Sequence, residues 1–264
     1  MKLAKVWFGT WEILWDKCIE SVNKAIKAWY KHIDTAQIYQ NETEVWNWIM
    51  QSEIKREDIQ ITSKLWKDNM SSENTILNSL EDSLRKLKTN YLDLFLVHWP
   101  LDNETNLKTI KTLINCKKNW IIRSIWVSNF TIQNLEYIDK NIWLDQIDFN
   151  QIEYHLFFEP KNIINYCNSK WIKIIAYSPL SHWKILKDPQ IKMIGDKHNK
   201  TRGQIALKWL IDKNIHIIPK SVNHMEENIN IFDFELDNED KKRLNNLPKD
   251  RRIIKPPFVP KRDD

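Results

Sequence analysis

Glycine is nearly absent from this chain: there are 3 in 264 residues, where ordinary usage of about 7% would supply roughly 18. Cysteine is scarce as well. Cys18, Cys116 and Cys167 form neither a CxxC pair nor a ligand-like spacing, which argues against a disulfide framework or a zinc site and fits a reducing compartment. No apolar run approaches the ~18 residues that span a membrane, and MKLAKVWFGTWEI lacks the uninterrupted apolar stretch of a secretion signal. The chain therefore reads as cytoplasmic, with no membrane partner. Single-sign charge blocks are missing too: 40 basic and 35 acidic residues are scattered along the chain for a net +5, which predicts a solvated mixed surface and no nucleic-acid partner. In excess is tryptophan, with 14.

Short Ile-, Val- and Phe-rich segments alternate with amphipathic segments of helical length, the pattern of βα repetition around a parallel sheet. Eight strands are expected, at Lys5–Gly9, Lys31–Thr35, Ile59–Lys64, Leu92–His98, Ile122–Ser128, Asp148–Glu153, Ile172–Ser178 and Ile215–Lys220. Between them lie DKCIESVNKAIKA, SENTILNSLEDSLRKLK, TIQNLEYIDKN and TRGQIALKWLIDK, several opening on a residue suited to the N-cap. Eight such units close a (β/α)8 barrel, a TIM barrel, as one domain over residues 1–264, a length typical of that fold. KPPFVPKRDD reads as an irregular surface tail.

The helix-to-strand junctions give the tryptophans a meaning. A helix commonly ends on a left-handed residue, usually Gly and sometimes Asn. Four junctions carry Trp at that slot, namely Trp29, Trp120, Trp143 and Trp171, and two carry Asn, namely Asn90 and Asn214. A bulky indole is strained there. The economical cause is a codon, UGA being the obvious candidate, that the host reads as Gly and that has been rendered as Trp.

Active sites of such barrels sit at the C-terminal ends of the strands. Strand two ends near Asp34 with Tyr39 five residues on, strand three at Lys64 and strand four at His98. Strand five ends at Ser128 and Asn129, strand six at Gln151, strand seven at Tyr177 and Ser178, and strand eight at Lys220 and Ser221. Charged Asp34 and Lys64 on otherwise apolar strands should pair, because a lone buried charge is costly. A lysine ammonium beside Tyr39 is expected to lower the phenol's pKa from about 10 and so tune it as a general acid.

HIDTAQIYQNETEVW, ITSKLW, LDLFLVHWP, IRSIWVSNF, FNQIEYH, IIAYSPL, IPKSVN and IFDFEL, in this order, make the chain resemble the aldo-keto reductase family along essentially its whole length. The resemblance implies carbonyl reduction by NADPH, with NADH open as an alternative. Asp34, Tyr39, Lys64 and His98 match the family's catalytic four, Tyr39 delivering the proton. Ser128, Asn129 and Gln151 match residues that hold the nicotinamide carboxamide, and Tyr177, with Ser178 beside it, matches the aromatic that stacks on the ring. Lys220 and Ser221 match positions near the adenosine 2′-phosphate, and Glu227 and Asn228 those near adenine. Trp66, Trp99 and Trp209 stand where the family itself has Trp, the first two lining the substrate pocket. The compact length resembles bacterial members that reduce small aldehydes, α-dicarbonyls or keto sugars such as diketogluconate. A monomer with a small carbonyl partner and no metal is expected.

The departures matter as well. Trp7, Trp46, Trp126 and Trp183 fall on family glycines, and an indole at Trp126 is expected to crowd the barrel interior at a cost of ~1–3 kcal/mol. The loop after strand eight is short and lacks the family's phosphate-clamping Arg, with His224 near its place, so a preference for NADPH would rest on Lys220 as a point charge. No GxGxxG fingerprint exists, since Glu12 stands where its third glycine would be. Two rival readings use the same barrel: a Schiff-base lyase or isomerase acting through Lys64, and a cofactor-binding redox sensor with little turnover.

Overall fold

The computed structural model describes residues 3–52, 54–181, 185 and 187–257. Its strands are β1 (Phe8–Gly9), β2 (His32–Asp34), β3 (Gln60–Leu65), β4 (Leu92–Val97), β5 (Ile122–Ser128), β6 (Phe149–Glu153), β7 (Lys173–Tyr177) and β8 (His216–Ile218). They pair in chain order and in parallel. Closure comes from a parallel bridge between Val6 and Ile217, where the Trp7 N–H donates to the Ile217 carbonyl at 2.9 Å and the Ile217 N–H to that of Lys5 at 3.0 Å. The expected (β/α)8 barrel is thus the fold.

The helices are α1 (Trp15–Lys27), α2 (Glu42–Gln51), α3 (Glu73–Lys86), α4 (Asn103–Lys118), α5 (Ile132–Ile142), α6 (Lys161–Ser169), α7 (Pro189–His198), α8 (Arg202–Asp212), α9 (Met225–Ile229) and α10 (Asn238–Asn245). Ser72 and Asp102 cap α3 and α4 through their side chains, while Thr131 and Thr201 form reciprocal capping boxes on α5 and α8. Helix α1 differs, with Leu14 at its N-cap and no side-chain cap. None of the helices among the described residues is long and apolar enough to cross a membrane.

Both faces of the sheet are covered, so its strands are apolar throughout. Along β4, Leu94 and Leu96 point into the barrel with Trp7, Trp126, Phe149, Ile175 and Ile218, while Phe95 and Val97 join the larger core beneath the helices. Trp126 does not leave the interior distorted around it, contrary to the crowding expected. Its ring lies 3.9 Å from Phe149, Trp7 stacks on His32 at 3.7 Å, and both indole N–H groups are satisfied, by Ser124 Oγ at 2.9 Å and the Ala4 carbonyl at 2.7 Å. Trp46 is half-buried against the outer core, and Trp183 lies outside the described residues. Cys18, Cys116 and Cys167 are buried and free.

The helix ends bear out the junction argument in part. Trp29, Trp120, Trp143, Trp171 and Asn214 all have φ between 61 and 69°. Asn90 does not. There the left-handed residue is Lys88 (φ 41°), because α3 closes earlier, with the Thr89 N–H donating to the Leu84 carbonyl at 3.1 Å.

Candidate active site

The strand ends surround a cavity of about 660 Å³, lined on one side by Asp34, Tyr39, Trp66, His98 and Trp99 and reaching past Tyr177 and Ser178 to Lys220. Tyr39 ends a 3-10 turn, Gln37–Tyr39, followed by Gln40 in the left-handed region (φ 55°). Its two neighbours fix that turn. The Gln37 amide donates to Ser79 Oγ (2.6 Å) and Ser83 Oγ (3.0 Å) and accepts from the Trp66 N–H (3.0 Å). The Asn41 amide donates to the carbonyls of Thr10 (2.9 Å) and Ile13 (2.8 Å) and accepts from Thr35 Oγ1 (2.6 Å). Both side chains sit beside Tyr39 in QIYQN, and that adjacency was the signal available in the sequence.

Lys64 and Asp34 form the expected pair, in direct contact and fully buried. The Lys64 Nζ also donates to the Thr35 carbonyl at 2.9 Å and to the Tyr39 hydroxyl at 3.4 Å, and Gln151 Nε2 donates to the other Asp34 oxygen at 3.1 Å. Burial pulls both members toward neutrality, Asp34 up and Lys64 down, against their mutual attraction. Lys64 stands behind Asp34 and Tyr39 and does not line the cavity. A Schiff-base nucleophile must present its amine to substrate, so this placement removes the lyase reading.

The tuning of Tyr39 runs opposite to expectation. Burial first, then the charges of Asp34 and Tyr177, push its phenol well above the ordinary value, because the ammonium is committed to Asp34. Tyr39 is therefore a firmly protonated donor. Burial, then Lys64, drives His98 well below its usual range, leaving a neutral imidazole. Its ring meets Tyr39 and Trp66 edge-on at 5.6 and 5.4 Å, and its Nδ1 has no hydrogen-bond partner among the described residues.

The expected carboxamide residues converge. Ser128 and Gln151 are register partners across β5 and β6, and Asn129 follows in the left-handed conformation (φ 64°). Asn129 Nδ2 donates to the His98 carbonyl (3.1 Å) and to Ser128 Oγ (2.9 Å), and its Oδ1 accepts from the Tyr177 hydroxyl (2.8 Å). Ser178 is also left-handed (φ 49°), so strain collects at these strand ends.

Lys220 lies at the far end, 3.2 Å from a Glu12 oxygen and over the Trp11 ring. Ser221, His224, Glu227 and Asn228 do not line the cavity. Ser221 Oγ accepts from the His224 N–H at 2.8 Å, the His224 Nδ1 lies 3.0 Å from Glu227, and the Asn228 amide nitrogen is buried without a partner among the described residues. A nicotinamide dinucleotide fits this set. Amide and hydroxyl groups gather near Tyr39, a cation stands at the other end, and Gly9 leaves a lining surface where a Cβ would meet Ile218 at 2.9 Å. The tail departs from expectation: Ile254 and Pro256 line the cavity, and Phe258 onward lies outside the described residues.

Comparison with known proteins agrees with this geometry. The model of the "Aldo/keto reductase family" matches residues 5–249. A Bacillus subtilis glyoxal reductase is 38% identical, with 90% of this chain and 86% of that protein covered. An Escherichia coli methylglyoxal reductase DkgB is 35% identical, with 97% of each covered. A crystal structure of an aldo-keto reductase enzyme from a Medee basin deep-sea metagenome library superposes with a TM-score of 0.93 at 32% identity, covering 97% of this chain and 95% of that one.

Proposed function

We propose, from the premise that the chain belongs to the aldo/keto reductase family, that it reduces small α-dicarbonyl aldehydes of the glyoxal and methylglyoxal type, with NADPH as reductant and Tyr39 as proton donor. The observation that carries the reading is the meeting of a protonated Tyr39, a neutral His98 and the Asp34–Lys64 pair at one end of a cavity whose other end reaches Lys220. Both curated relatives named above reduce such carbonyls by name.

Bound NADPH supplies the hydride. Ser128, Asn129 and Gln151 hold its carboxamide, Tyr177 lies against its ring, and Lys220 with Ser221 faces the 2′-phosphate. Glu227 and the unpartnered amide of Asn228 face adenine. Tyr39 gives its proton to the carbonyl oxygen as negative charge develops there, and the Lys64 ammonium at 3.4 Å stabilises the phenolate left behind. His98, neutral and with hydrogen-bonding capacity unspent, orients that oxygen. Trp66 and Trp99 exclude water and position the substrate. With Lys220 a point charge and no Arg in its loop, discrimination against NADH is modest.

Following NADPH absorbance with glyoxal, methylglyoxal and a keto sugar tests the reading. Tyr39→Phe should lose at least about a hundredfold in turnover, the scale of general acid catalysis, while NADPH binding followed by fluorescence stays within a factor of two. Retained turnover in that variant would refute the proton-donor role. A redox sensor would show tight binding and negligible oxidation of NADPH with every carbonyl.

A further inference from the structure

Glu153 is the last residue of β6, two positions beyond Gln151, and its carboxylate is fully buried. It accepts hydrogen bonds from the consecutive backbone N–H groups of Ile253 (2.6 Å) and Ile254 (2.9 Å) and stands 3.1 Å from His155 Nε2. His155 Nδ1 accepts from the Phe157 N–H at 3.2 Å, so the ring proton sits on Nε2 and points at Glu153. The tail reaches this anchor along the loop after β6. The Arg251 N–H donates to the Phe157 carbonyl at 2.8 Å, and Lys249 Nζ to that of Leu156 at 2.7 Å. From the anchor the chain passes directly to Ile254 and Pro256, which wall the cavity.

We propose that Glu153 is a positioning residue for substrate selection: it fastens the C-terminal wall of the carbonyl pocket to the strand that carries Gln151. Three donors converge on one buried carboxylate, and two of them come from a segment with no other reason to lie at the barrel mouth. Releasing the wall opens the pocket on one side without touching Tyr39 or the groove toward Lys220.

This rests on the carbonyl-reductase reading, and the test keeps the two apart. In Glu153→Gln, which presents an N–H toward the tail donors, KM for methylglyoxal should rise about tenfold while kcat and the NADPH dissociation constant move less than threefold. KM for benzaldehyde should stay level or fall. Ile253→Pro, which removes one donor, should shift the same ratio, and the double variant should go no further than either single one. An unchanged methylglyoxal-to-benzaldehyde ratio in both single variants overturns the proposal. Amide exchange of Ile253 and Ile254 in the unaltered chain gives a second readout, independent of turnover. Slow exchange supports the anchor, and exchange at the free-peptide rate overturns it even if no carbonyl is reduced.

A different observation carries a second inference. Trp29, Trp120 and Trp171 are the left-handed residues of three helix ends closed by the same bond, Tyr30 N–H to Ala25, Ile121 N–H to Cys116 and Ile172 N–H to Cys167, at 2.9–3.0 Å. Trp143 has φ 65° and ψ 139°, close to a region occupied almost only by glycine. All four indoles are 77–91% exposed. Packing gives no reason for them, whereas Trp209 is buried in α8 with its N–H on Asn245 at 2.8 Å.

We infer that the functional chain carries glycine at 29, 120, 143 and 171, UGA being read as Gly by the host. The gene should hold UGA at those four codons and UGG at Trp66, Trp99 and Trp209, and peptides from the native host should be lighter by the Trp-to-Gly mass difference at each of the four. UGG at the four, or host peptides carrying tryptophan there, overturns the inference.

Discussion

At the scale of single residues, the Asp34–Lys64 pair shows how this barrel holds charge inside. Neither group has water, and each is held by the other plus one further hydrogen bond, from Gln151 on one side and to the Thr35 carbonyl on the other. Lys64→Met should therefore cost about 3–5 kcal/mol by stranding a carboxylate, read as a lower urea midpoint. Adding Asp34→Asn should return part of that loss, and additive losses would disprove the coupling. The displaced titrations make a second prediction. His98 lies below about 6.5 and Tyr39 above about 10, so both keep one protonation state between those values. A reductive kcat profile should be flat across that window, and a titration near pH 7–8 would show that another group donates the proton.

At the scale of elements, the helix ends are the weak points. A non-glycine left-handed residue costs about 1–2 kcal/mol, so Trp29→Gly, Trp120→Gly and Trp171→Gly should each raise the denaturant midpoint by about 1 kcal/mol at unchanged slope, with Trp143→Gly gaining at least as much. Trp209→Gly should cost several kcal/mol instead, by opening a cavity. A loss of stability in the first three would mean that the exposed indoles have a role in the fold. The same elements show what the sequence discloses. All eight strands were legible because each is an apolar run of strand length bounded by polar residues, and their C-terminal ends carried Asp34, Lys64, Ser128 and Gln151 into view. The end of α3 was misplaced onto Asn90 because helix closure depends on where the backbone bond forms, not on which nearby residue tolerates positive φ best. Ile254 and Pro256 could not be read as pocket residues, since what brings them there is Glu153, about a hundred positions away in the chain.

For the whole molecule, burial of three histidines sets how the barrel answers to acid. His32, His98 and His216 are all shifted down by burial, His216 to about 4. His32 stacks against Trp7, and His216 donates from Nδ1 to the Ala4 carbonyl at 2.8 Å, tying the interior to the segment that closes the barrel. A histidine whose folded pKa lies below its unfolded value near 6.5 leaves the unfolded chain holding more protons between the two values. Stability is thus fully present above pH 6.5 and is lost as the pH falls, for His216 until about pH 4. Asp34 and Glu42, raised by burial, act in the opposite sense over the same range, so the histidine contribution has to be isolated. His216→Gln keeps a donor for Ala4 and removes the titration. Urea midpoints between pH 8 and 4 should decline from about pH 6.5 in the unaltered chain, with His216 alone contributing on the order of 3 kcal/mol, and the decline should be shallower in the variant. Ordinary carboxylates take up protons only near pH 4, so a curve flat down to pH 5 would mean that the buried imidazoles carry no such linkage.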